Sequence, residues 1–168
     1  MAKSAKSRKV LDTLFHDTLK DIYFAENKIY KTLPKMEKAA QNVQLKAAFK
    51  KHLGETAKQI TRLEQVFKII KQTPKGKTCA AIVGITTEGA EIIKDYKGSP
   101  ALDAGLIAAA QAVEHYEIAR YGTLRSWAQE LGLDKAAALL QQTLDEEEAT
   151  DRALTKLAEE SVNIEAEE

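Results

Sequence analysis

Four long stretches of this chain repeat apolar residues every three or four positions, and a chain so patterned must pair long amphipathic helices around a shared core. The first runs from Leu11 through Leu14, Ile22, Ile29 and Leu33 to Met36, with Pro34 inside it predicting a kink or an early end. The second passes through Leu45, Phe49, Leu53, Ile60, Leu63, Val66, Phe67 and Ile70 and closes near Thr73 and Pro74. A turn around Gln41, Asn42 and Val43 joins them, so the two lie antiparallel. The third spans about Leu102 to Leu131 with Gly132 as its C-terminal cap, and Asp134 suits the N-cap of a fourth carrying Leu140, Leu144, Leu154 and Leu157.

Between the pairs lies a long connection, 73–101, whose stretch CAAIVGITTEGAEIIKDYK is mildly helical. Helix pair, long connection, helix pair is the layout of an all-α, ferritin-like four-helix bundle with a crossover that carries a short helix. At 18.6 kDa the chain is the size of one domain, 1–168, with a basic, flexible N-terminus at 1–9 and an acidic, solvated tail at 162–168. Lys and Arg together number 25, as do Asp and Glu, which argues against nucleic acid as a partner. The absence of a long apolar run or a signal-like segment predicts a cytoplasmic protein with no membrane partner. Cys79, the single cysteine, reads as a small buried apolar residue.

Each stripe is interrupted at mid-helix by polar residues that keep the helical spacing. On the first helix this is Glu26. On the second the stripe passes through His52, Glu55 or Thr56, and Gln59; on the third it holds Glu114 and, one turn on, Glu117; on the fourth it holds Glu147 or Glu148 and then Asp151. A buried, unpaired carboxylate is worth several kcal/mol of destabilisation, and a core cannot hold half a dozen of them uncompensated. Arg62 and Arg120 are the nearest cations, too few to pair them all. Two bound metal ions neutralise such a set. Oxygen-rich ligands with little nitrogen and no thiolate suit iron foremost, or manganese, and not structural zinc. His115 points off this face, and Tyr23, Tyr116 and Tyr121 lie near enough in sequence to neighbour the site, or simply to pack.

The segments DIYFAENKI, FKKHLGETAKQITRLEQVF, LIAAAQAVEHYEIARYGTL and LLQQTLDEEEATDRALTKLA closely resemble the bacterial YciE/YciF-like ferritin-like stress proteins, from about Val10 to Val162. The resemblance implies a homodimer, an association with stress responses and kinship with rubrerythrins. A rubrerythrin-like site takes Glu26, Glu55, Glu114, Glu117 and Glu148 as ligands. This sequence departs from that pattern where Lys58 and Asp151 replace two histidines, leaving His52 as the source of nitrogen.

Two functions follow for such a chain. One is a di-iron or di-manganese protein that reacts with peroxide or oxygen, its electrons delivered by a separate donor since no rubredoxin-like cysteine pairs exist here. The other is a non-enzymatic, dimeric stress or structural protein with an empty or structural metal site.

Overall fold

The computed structural model describes residues 10–167; the basic segment 1–9 lies outside them. Helix α1 spans Leu11–Ala39, α2 Val43–Ile69, α3 Ala80–Asp95, α4 Leu102–Glu130 and α5 Asp134–Leu157. Helices α1, α2, α4 and α5 form the bundle: α1 packs on α2 and α4, and α5 on the same two, while α3 lies outside against α4 and α1. The ferritin-like bundle with a helix-bearing crossover is thus the observed architecture.

The stripes become one core, with Phe15, Leu19, Ile22 and Leu33 from α1 meeting Leu45, Phe49 and Leu63 from α2 and Leu106, Leu124 and Leu140 from α4 and α5. Helix α1 does not end at Pro34 but continues to Ala39. Pro34 is exposed, so water can reach the carbonyl its ring leaves unbonded. Helix α2 closes earlier than the Thr73–Pro74 expectation, on Lys71 in the left-handed region (φ 56°), with the Gln72 amide donating to the Phe67 carbonyl at 2.9 Å.

Gly132 (φ 68°) ends α4 as its sequence position predicts. Asp134 does not cap α5: Leu133 occupies that position without a side-chain bond, and Asp134 sits in the first turn, where its charge faces the helix N-terminus. Cys79 is buried, yet it acts as a polar group as well. Its Sγ accepts from the Ile82 amide at the start of α3 and stands 3.0 Å from the Tyr116 hydroxyl. The crossover packs tightly, since a Cβ on Gly105 of α4 falls 2.7 Å from Ile92 of α3.

One end of the bundle fixes the register of its helices. Asp103, in the first turn of α4 and buried, accepts from the amides of Gln41 (2.8 Å) and Asn42 (2.5 Å) in the α1–α2 turn. Asn42 in turn caps α2, accepting from Gln44 and Leu45. Helix α4 therefore starts where α1 ends and runs antiparallel to it.

The acidic tail is ordered where it meets the same turn, though most of residues 163–167 stay exposed to water. Residues Ala158–Val162 form a π-turn, Asn163–Glu165 a further helical turn, Val162 is buried, and Asn42 contacts Ser161 and Glu165. No helix among the described residues is long and apolar enough to cross a membrane.

Replacing Asp103 by Ala takes the shared acceptor from two part-buried turn amides. It should destabilise the fold by about 2–3 kcal/mol, read as a lower urea midpoint at unchanged slope; an unchanged midpoint contradicts this role.

Candidate metal centre

At mid-height each bundle helix turns ionisable side chains inward: Glu26 from α1, His52 from α2, Glu114 and Glu117 from α4, and Glu147 from α5, all buried. One nitrogen or oxygen from each of His52, Glu114, Glu117 and Glu147 lies within 4.8 Å of the others. His52 Nε2 is 3.2 Å from Glu114 Oε1, but without the alignment of a hydrogen bond. Glu26 stands beside this group, and its charge and theirs raise one another's pKa.

The notable feature is how little satisfies these atoms. Both ring nitrogens of His52, both carboxylate oxygens of Glu117 and of Glu147, and one oxygen each of Glu26 and Glu114 are buried without a hydrogen-bond partner. Buried polar groups are nearly always paired, so this many orphans facing one another make a set of atoms able to hold a cation. Only Glu26 has a firm partner, the Tyr121 hydroxyl, which donates a short hydrogen bond to it.

The electrostatics follow from that geometry. Burial, reinforced by neighbouring carboxylates, lifts Glu26, Glu114 and Glu117 well above the ordinary Glu range. Burial lifts Glu147 to about 7. It also strips His52 of its affinity for a proton, lowering it to about 4, with Lys51 assisting. Tyr121 is pushed up by burial and by the charges of Glu26 and Glu117. Two carboxylates 4 Å apart repel by about 4 kcal/mol even at an effective dielectric of 20. A neutral imidazole among carboxylates is a metal-ligand set, and oxygen dominance fits iron or manganese.

Other expected ligands stand aside from this cluster. Glu148 faces outward, its side chain 44% exposed and 3.6 Å from Arg152, so Glu147 is the member of the acidic run that enters the core. Asp151 lies on the flank, accepting from Gln111 at 3.0 Å and standing 3.2 Å from the exposed His115, which points off the face of the cluster as its position predicts. Glu55 is intermediate: Lys51 binds one oxygen at 2.8 Å, while the other, buried and unpartnered, sits 4.0 Å from His52 Nδ1. Thr56 and Gln59 take the stripe positions on α2. Of the tyrosines, Tyr121 reaches the site, Tyr116 donates to Asp21, and Tyr23 donates to Glu64.

Glu146 was not anticipated. Against the upward push of partial burial, the Arg62 guanidinium, bidentate at 2.6 and 2.7 Å, holds its carboxyl below the usual range. Arg62 is thereby committed beside the centre, not within it.

The chain is similar to known proteins along nearly its whole length. A family model described as a domain of unknown function (DUF892) matches residues 10–167. Protein YciF of Escherichia coli is 45% identical over 160 residues, covering 95% of this chain and 96% of that one. The crystal structure of that protein, described as a stress protein, superposes with a TM-score of 0.88 over 93% of this chain and 99% of its own. YcfI of Rhodopseudomonas palustris, for which a structural role has been suggested, is 45% identical and superposes with a TM-score of 0.86, over 91% of this chain and 98% of its own. A Xanthomonas campestris protein at 21% identity and a TM-score of 0.70 shares the fold.

The buried carboxyls bind protons more tightly folded than unfolded. Their stabilisation is complete below the unfolded pKa near 4.3 and is lost as pH rises through the folded values, about 7 for Glu147 and raised for its neighbours. His52 acts on the other flank, its contribution fading as pH falls from 6.5 toward 4. Metal-free protein should therefore melt at a lower temperature at pH 8.5 than at pH 6, and Glu147→Gln should flatten that slope. A melting temperature that rises over this interval contradicts the buried acidic cluster.

Proposed function

The chain belongs to the DUF892 family, and on that premise we propose that it is a metal protein whose bundle core holds two ions, iron foremost or manganese. Glu26, His52, Glu114, Glu117 and Glu147 are the ligands in this reading, with Glu55 near enough to join them by a side-chain rotation. The observation that carries it is the set of orphaned nitrogen and oxygen atoms from four helices converging at mid-height. When bound, the ions supply redox chemistry toward peroxide or oxygen.

The chain's own residues do the rest. The carboxylates fix the ions' positions, and Tyr121 holds Glu26 in one orientation by its hydrogen bond. The apolar residues next to the cluster, Ile22 and Ile29 on α1 and Val113 and Leu124 on α4, keep its surroundings apolar. Arg62 and Glu146 close the flank between α2 and α5. We extend to this chain the stress role named for the Escherichia coli relative, with assembly as a homodimer and electrons drawn from a separate donor as parts of the same reading. The structural role suggested for YcfI supports a second reading, in which the same ions hold the bundle together without turnover.

Elemental analysis of protein purified without chelator should give about two iron or manganese ions per chain, as in di-metal carboxylate bundles. Glu114→Ala and Glu117→Ala should each lose most of that metal, while Glu148→Ala keeps it. A spectral change on adding peroxide supports the redox reading, and a peroxide-silent but metal-dependent melting temperature supports the structural one. Metal far below one ion per chain in the parent protein, or equal loss in Glu148→Ala, overturns the proposal.

A further inference from the structure

A cavity of ≈ 220 Å³ opens between α1 and α3 and runs inward to His52 and Glu114. Its walls are apolar, with Ile29, Leu33 and Met36 on one side and Phe49, Val113 and Ile93 around the others. Small residues create the space: Gly89 of α3 faces Ala109 of α4, and Ala110 lies beside it. Interiors rarely tolerate voids larger than a water molecule. An engineered apolar cavity of about 150 Å³ stays dry and binds benzene, so this larger one has room for a more extended apolar molecule.

Its two ends differ. The outer rim carries exposed Lys28, Lys35 and Thr87. The inner end presents His52, 4% exposed with neither ring nitrogen hydrogen-bonded, and Glu114, 1% exposed with an unpartnered oxygen. A wholly apolar guest leaves those atoms unsatisfied. A charged carboxylate head meets no Lys or Arg among the described residues lining that end to offset its desolvation.

We propose that the cavity binds a medium-chain aliphatic molecule with a neutral, hydroxyl-bearing head, its chain among the apolar walls and its head at His52 and Glu114. The hydroxyl serves as donor to a carboxylate oxygen or imidazole nitrogen and as acceptor, which is the versatility the inner end requires. The inference goes beyond the metal reading, because the apolar walls belong to the chain whether or not ions are bound, and the hydroxyl contact is one the metal-free chain makes with its unpartnered His52 and Glu114 atoms.

Calorimetric titration of 1-octanol into the metal-stripped full chain should show saturable binding at one site. Ala110→Leu, which fills the cavity, should weaken it at least tenfold. Ala90→Leu narrows the exposed mouth with little threat to folding and should weaken it as well. Octanoate should bind at least tenfold more weakly than octanol. Absence of saturable octanol binding, unchanged affinity in both variants, or octanoate binding equally well through the rim lysines each overturns the proposal. Metal retained without octanol binding sinks the cavity alone; octanol binding without metal sinks only the metal reading.

Discussion

Like charges crowded into a dry interior repel, and the four-helix core of this chain brings Glu26, Glu114, Glu117 and Glu147 close enough to feel one another directly. That repulsion has two remedies, protons or cations, and the surrounding side chains favour neither by themselves. The nearest guanidinium, Arg62, is already bound to Glu146. The buried imidazole of His52 is neutral, and Tyr121 supplies one hydrogen bond to one carboxylate oxygen. The fold thus concentrates carboxyl groups and leaves their compensation open, the electrostatic condition under which a cation can be held.

Rigid placement makes the crowding possible. Asp103 ties the start of α4 to the α1–α2 turn, Asn42 caps α2 there, and the segment after α5 closes on the same residues. With the register of all four bundle helices set at one end, mid-height on each falls at one level. At the opposite end α4 and α5 are joined through Gly132, whose left-handed backbone lets the second pair fold back tightly. The crossover helix α3 completes the wall over α1 and α4 and, by its glycine, leaves the channel that reaches His52.

The helix pairs, the crossover and the burial of Glu26, His52, Glu114 and Glu117 were legible in the sequence because apolar periodicity reports which face is inward. The choice among neighbouring acids was harder, and the reason is geometric. The buried residues of α1, Phe15, Leu19, Ile22, Glu26, Ile29, Leu33 and Met36, advance by alternating steps of four and three. Those of α5 do the same through Leu140, Thr143, Glu147, Thr150 and Leu154. That seam selects Glu147 and passes Glu148 and Asp151 by one position each. On α2 it selects Thr56 and leaves Glu55 at the margin. The three-residue spacing of Glu148 and Asp151 does put them on a shared face, but it is the flank. Glu114 escapes the seam rule because α4 is covered by α1, α3 and α5, so a wider arc of its surface is interior. Asp103 and the ordered tail were invisible because their partners are backbone amides and a distant turn, which no periodicity encodes.

The distribution of the acidic ligands along the chain has a consequence for biosynthesis. Glu26 leaves the ribosome far ahead of Glu147, by roughly 6 to 24 s at 5–20 residues per second. During that interval the first helix pair has its carboxylate and imidazole but no facing acids, so these groups stay hydrated and a metal ion meets only a fragmentary chelate. On the metal reading proposed above, insertion of the ions belongs to the completed polypeptide, after α5 has docked, and the timing of synthesis itself guards the nascent chain against premature metallation.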